Sequence, residues 1–284
     1  MIAVLGGLGA AGAWALTTMC YSRATRTLAP ASVLALAMVV GLVVTAPLVA
    51  AVGVPDALDD EALGLLVIAG STNVAGLLLV VSALRIGKVG VVAPLVSTEG
   101  AIAAVLAVVA GEAVEPGAGA TLAVIVAGIA LASIGRDELD EGAVARKQTR
   151  AALLAMAAAL AFGTSLYATG RVSDELPLVW ALIPARVIGV LAVALPLLAT
   201  RRLAVTRDAL PFVVLAGIAE VVGFAFFALG ARDGIAISAV LASQFGVVAA
   251  IAAFFLFGER LTRAQRAGVA AIAVGVAALT WIQA

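Results

Sequence analysis

Apolar runs of roughly bilayer length follow one another along the whole chain, separated by short polar connections. Ten such segments fall at about 2–21, 32–52, 63–84, 89–110, 118–135, 150–170, 177–199, 209–230, 234–257 and 264–282. A bilayer core takes about 20 apolar residues per helix, so each run predicts one membrane-spanning helix. None shows the period-2 alternation of a lipid-facing barrel strand, and helices satisfy their own backbone hydrogen bonds in lipid. The expected fold class is therefore an all-α integral membrane protein with ten transmembrane helices. The longest connection, 136–149 (RDELDEGAVARKQT), is charged and lies at the middle of the chain. The first run lacks a basic region ahead of it, and Arg23 and Arg26 follow it instead, so it reads as a first span and not as a signal peptide.

Composition sharpens this. Of 284 residues, 64% are hydrophobic and 12% charged, against about 25% charged in soluble domains. The chain has no His and a single Cys, which excludes His general bases, His-ligated metals and internal disulfides. Seventeen basic residues balance seventeen acidic ones, leaving no excess for nucleic acid. No GxxxxGK[ST] phosphate loop is present, so an ATP-driven pump is not expected. No cofactor or metal is expected either.

Fourteen of the 17 Lys and Arg fall in the loops joining spans 1–2, 3–4, 5–6, 7–8 and 9–10. The opposite side holds only Arg171 and Arg232, and Arg186 lies within a span. The positive-inside rule places the basic loops in the cytoplasm. Both termini are then expected outside it, in a multi-pass protein of the cell membrane.

Shifted by 147 residues, the chain matches itself: Arg85 with Arg232, Gly87 with Gly234, Gly111-Glu112 with Gly258-Glu259. The expected organisation is a first five-helix repeat (1–135), a charged linker (136–149) and a second repeat (150–284). Five is odd, so the second repeat enters the membrane inverted, and equivalent loops carry opposite charge bias. Inverted repeats are the architecture of alternating-access carriers with a site near mid-membrane.

The stretches ALRIGKVGVVAPL (83–95), Gly-Glu at 111–112, and ALGARDGIAISAVLASQFGVVAAIAAFFLFGERLTRAQRAGVAAIAVGVAAL (228–279) carry a family resemblance. The sequence resembles the drug/metabolite transporter superfamily in its ten-span EamA branch. The resemblance implies a secondary transporter, with export of amino acids or other metabolites as the expected activity.

Three ionisable residues lie near span midpoints: Glu99, Arg186 and Glu220. Each would cost about 2.5–3.5 kcal/mol if it faced lipid at a helix centre, so all three are expected to face the bundle interior. One reading is a structural salt bridge. One Arg cannot neutralise two carboxylates, however, and the spare one suits a coupling proton, a cation or a substrate ammonium. Asn73, Thr98, Ser97 and Gln244 lie at similar depth, either lining the same polar pocket or bridging helices. By the 147-residue shift, Asn73 corresponds to Glu220 and Ser97 to Gln244. Trp14, Tyr167 and Phe224 are candidates for an apolar wall. Pro94 and Pro184, close to Glu99 and Arg186, are candidate hinges. Glu112 and Glu259 follow glycines at span ends, where a carboxylate caps a helix or meets an Arg.

The expected function is transport of a small polar or zwitterionic solute, amino-acid-like, by alternating access. Protons are the candidate coupling ion. Alternatives are a proton-coupled exporter of lipophilic cations, a flippase, and a membrane scaffold without transport.

Overall fold

The computed structural model describes residues 1–113, 116–133 and 143–257, with scattered positions from 263 to 278. Its helices are α1 (Ile2–Ala24), α2 (Pro30–Val52), α3 (Asp60–Ile86), α4 (Val89–Val96), α5 (Glu99–Val109), α6 (Pro116–Ser133) and α7 (Ala143–Glu175). They continue as α8 (Leu178–Gly189), a π-helical turn (Val190–Ala194), α9 (Leu195–Ala199), α10 (Leu210–Ala231), α11 (Ile235–Ala242) and α12 (Phe245–Phe257). Among the described residues, eight helical segments are long and apolar enough to cross a membrane. They coincide with expected spans 1–4 and 6–9. The 18 residues of α6, about 27 Å of helix, occupy the expected fifth. The expected tenth span lies largely outside the described residues. Outward-facing side chains such as Leu5, Val43 and Leu153 are each more than 60% exposed. A surface solvated by lipid tolerates such exposure.

Local chemistry sets the helix ends. Asp59 caps α3 by accepting from the Ala62 N–H at 2.8 Å. Pro30 stands at the start of α2, where its missing N–H costs nothing. Gly53, at φ +77°, ends that helix in a conformation that favours glycine. On the face that carries residue 1, charged side chains cap helices remote in sequence. Arg232 donates to the carbonyls of Ser173 (2.7 Å) and Leu176 (3.1 Å) at the end of α7. Glu112 accepts from the Ala236 N–H (3.1 Å) at the start of α11. Asp233 accepts from the Ala3 N–H (3.1 Å) and the Met1 ammonium (3.2 Å) at the start of α1.

These donors hold the Asp233 carboxyl below its ordinary range, the Ala3 N–H contributing most. A depressed folded-state pKa adds stability that is complete above the unfolded value of about 4 and is lost as pH falls through the folded value. The protection of the Ala3 amide relative to its intrinsic exchange rate is therefore expected to fall on acidification below about pH 4, and Asp233→Asn is expected to remove that pH dependence.

Two spans are broken at their centres. The α4–α5 junction at Ser97-Thr98 and the α11–α12 junction at Ser243-Gln244 replace i→i−4 backbone bonds by i→i−3 bonds, including Gly100 N–H to Ser97 and Gly246 N–H to Ser243. Hydroxyls at the breaks also bond carbonyls of the preceding turn: Ser97 donates to Ala93 (3.0 Å), Thr98 to Leu95 (2.8 Å) and Ser243 to Val240 (2.7 Å). Such back-bonding bends helices. Pro94 lies three residues before the first break, but the second break has Val240 at the corresponding place. Serine is the feature common to both. Pro184 lies within α8, and the π-helical turn at Val190–Ala194 is followed by α9, which carries Pro196 in its first turn.

The bounds of α4 and the start of α5 correspond to the bounds of α11 and the start of α12 at a shift of 146, one residue less than the sequence match, so that Ser97 corresponds to Ser243 and Gly100 to Gly246. The extra residue is Lys88, between Gly87 and α4; α11 starts directly after Gly234. α1 packs along α10 and α3 along α7, α2 lies against α8, and α4 and α5 pack on α12 and α11 respectively. The two broken spans thus run antiparallel and meet at their breaks.

Candidate functional site

A cavity of about 40 Å³ lies where α1, α3, α5, α7, α10 and α12 converge. At about 10–15 Å³ per water it holds roughly three. Its wall is aromatic: Trp14 and Tyr21 from α1, Phe162 from α7, Phe224 from α10 and Phe245 from α12. The Trp14 ring stands edge-on to Phe224, with centroids 5.0 Å apart, and to Phe245 at 6.3 Å. Gly223 leaves the space that the indole nitrogen of Trp14 occupies. Into this apolar cage project two carboxyls, Glu99 at the start of α5 and Glu220 in α10. Both are buried, at 3% and 4% exposure, and one oxygen of Glu99 has no hydrogen-bond partner.

Arg186 is not in this cavity. It lines a second, smaller one of about 10 Å³ with Asn73, Ser165 and Thr169, and Phe224 is shared by both. The guanidinium carbon sits 5.3 Å from the Phe224 ring centroid, a cation–π contact. Gly41 gives room to its stem, since a Cβ there would lie 3.1 Å from Arg186 Cγ. Arg186 and Glu220 are electrostatic neighbours. Among the described residues, however, no ion pair within 4 Å joins Arg186 to either Glu. The two spaces share Phe224, and Glu220, which lines the first, is a neighbour of both Arg186 and Asn73, which line the second.

The remaining candidates separate. Ser97 and Thr98 form the α4–α5 break, and Gln244 donates to the Val240 carbonyl at 2.9 Å beside the other break. None of the three is among the described residues that line the two cavities. Tyr167 lines a third space, an open vestibule of about 390 Å³ at the membrane face that carries residue 1. Glu112, Arg171, Asp174 and Asp233 line it too. Burial pushes the Glu112 carboxyl up, while the N–H groups of Ala236 and Ile235 pull it back. Glu259 lies outside the described residues.

Tyr21 was not anticipated. It is 2% exposed, lines the acidic cavity, and its hydroxyl has no partner. Its signal was the spacing Trp14, Thr17, Thr18, Tyr21, which puts four side chains on one face of α1. All four line the cavity.

Helices that span a membrane and enclose buried acids define a multi-pass integral membrane protein with an internal polar compartment. The model of the EamA-like transporter family matches residues 1–134 and 149–281. The chain belongs to that family, and so to the drug/metabolite transporter superfamily; it is a membrane transporter of that type. A solved crystal structure shares the fold at TM-score 0.73 and 19% identity, over 99% of this chain and 96% of the other. No curated protein matches the sequence.

Proposed function

We propose that the protein is a secondary transporter built as two inverted five-helix repeats, which exposes the cavity of Glu99 and Glu220 to each membrane face in turn. The family match in two blocks supports the repeat, with boundaries close to those of the 147-residue self-match. The packing supports it as well. Exchanging each span with its equivalent five spans later turns the α1–α10 contact into the α7–α3 contact, and leaves the α2–α8 contact unchanged. A pseudo-two-fold axis in the membrane plane has that consequence. The repeat symmetry brings the two broken spans together beside the cavity.

The solute carries an ammonium group. The observation behind this is the pair of buried carboxyls sharing one aromatic cage without a cation at ion-pair distance. A carboxylate and an aromatic face both favour a cation. In an amino-acid-like zwitterion, the carboxylate reaches Arg186 when the Phe224 ring turns aside. The separation of Arg186 behind Phe224 also favours a second reading, an organic cation that uses the acids alone. A pH gradient supplies the coupling proton in either case, carried by a carboxyl that the ammonium vacates.

Flux into proteoliposomes separates the two. With amino acids and organic amines as the panel, Arg186→Ala is expected to lower amino-acid flux about tenfold or more and to leave amine flux near the wild-type level. Equal loss for both classes would count against a carboxylate-binding role for Arg186. The basic loops face the cytoplasm in this reading, and a reporter fused after residue 284 is expected to report an external C-terminus.

A further inference from the structure

The open vestibule of about 390 Å³ is far larger than the acidic cavity, and its volume is that of a small-molecule site. Three helices line both spaces. From α5, α7 and α10, Glu99, Leu166 and Phe224 line the cavity, while Ala107, Arg171 and Ala231 line the vestibule. The vestibule therefore lies between the cavity and the membrane face that carries residue 1. Its charges are of both signs and partly uncommitted. Arg171 and Arg232 are the two basic residues that the expected topology puts on this face, and both line the vestibule. Arg232 is committed to the carbonyls of Ser173 and Leu176. Arg171 is exposed and, among the described residues, enters no hydrogen bond or ion pair, although Asp174 lies one turn further along the same face of α7. Asp233 is committed to Ala3 and Met1. Glu112 holds the Ala236 N–H through Oε1 only, and its Oε2 is buried without a partner. Asp174 is an electrostatic neighbour of Glu112, so two like charges stand together there. A buried carboxylate oxygen beside a second acid calls for a cation, and the uncommitted guanidinium suits a carboxylate.

We propose that the vestibule is a second binding site for an amino-acid-like zwitterion, with the ammonium on Glu112 and Asp174 and the carboxylate on Arg171. The choice of ligand class rests on the transport reading above, whereas occupancy of the site does not depend on the acidic cavity. Both contacts fall on groups common to all amino acids, so the site accepts different side chains.

A thiol placed in the vestibule tests this directly. Ala110 is an exposed lining position, so Ala110→Cys in a Cys20→Ala background offers one thiol. Glu99→Gln and Glu220→Gln are added to disable the acidic cavity. A water-soluble thiol reagent is applied to the purified full chain in detergent micelles, with L-alanine, its methyl ester or its N-acetyl form present. L-Alanine is expected to slow modification saturably. The ester lacks the carboxylate and the N-acetyl form lacks the ammonium, so each is expected to need concentrations about tenfold higher or more. Arg171→Gln, a change at an exposed position, is expected to raise the half-protecting L-alanine concentration about tenfold and to leave that of the ester unchanged. Modification unslowed by L-alanine, or slowed equally by all three compounds, would overturn the proposal. Protection that Arg171→Gln leaves intact would overturn it too. The cavity reading stands or falls separately, on the flux of the Glu99→Gln and Glu220→Gln variants.

Discussion

Glu220→Gln and Glu99→Gln are each expected to abolish most solute flux in proteoliposomes while leaving the protein folded. The substitution keeps size and hydrogen-bonding capacity and removes only the charge. A hydrogen bond to a charged group contributes about 1.5–3 kcal/mol net, which converts to a loss of roughly 10- to 150-fold. Both carboxyls line the aromatic cage, so neither compensates for the other. Stability should move the opposite way. A carboxylate at 3–4% exposure, without a cation in contact, opposes folding, and its neutral isostere does not. Flux and unfolding midpoint measured on the same preparations separate the roles. Collapsed flux with an unchanged or higher midpoint is the expected pair of results. Wild-type flux in both variants would move the solute site elsewhere.

Gly246→Ala and Gly100→Ala carry a large expected structural cost. They sit where the two broken spans cross, in reciprocal arrangement. A Cβ on Gly246 would fall on Ser97 Oγ and lie 2.6 Å from the Ala93 carbonyl oxygen; on Gly100 it would lie 2.5 Å from the Ala239 carbonyl oxygen and 2.6 Å from Ser243 Oγ. The nearest atoms include backbone, which cannot step aside, so overpacking costs about 1–3 kcal/mol at each position. Gly12 and Gly64, also helical, have nothing within 4 Å of an added Cβ. At those positions alanine should gain about 0.5–1 kcal/mol of helix preference. Unfolding midpoints of the four variants check this: two lowered, two held or raised.

Much of this was legible from the chain. Spans 1–4 and 6–9 follow from apolar run length, because lipid demands long apolar helices whatever they pack against. Glu99, Arg186 and Glu220 stood out because buried charge is rare in a membrane and must face inward. Their grouping was less visible. Arg186 lines a space separate from the one the acids line, with Phe224 common to both, and residue spacing does not encode that arrangement. Ser97, Thr98 and Gln244 looked like pocket residues from their depth alone. At the span centres, though, a polar side chain satisfies a helix break as readily as it lines a cavity. The capping of α11 by Glu112 was half legible: a carboxylate after a glycine at a span end signals a cap, but the helix it serves lies in the other half of the chain. The registration of the broken spans differs by one residue from the sequence match, because alanines and glycines repeat at neighbouring shifts and leave the alignment weakly pinned there.

In the proposed cycle one cavity, walled by Trp14 and Phe224 and bearing Glu99 and Glu220, opens to each side of the membrane in turn. Cys20 is the chain's single cysteine, so a Cys20→Ala background leaves one engineered thiol at Thr17, a cavity-lining position on α1. A membrane-impermeant thiol reagent is then applied separately from each face of oriented membranes, with and without a transported amine. Modification of Thr17→Cys from both faces, slowed from each by the amine, is the predicted result. Modification from one face alone, or at a rate that the amine leaves unchanged, would contradict the account.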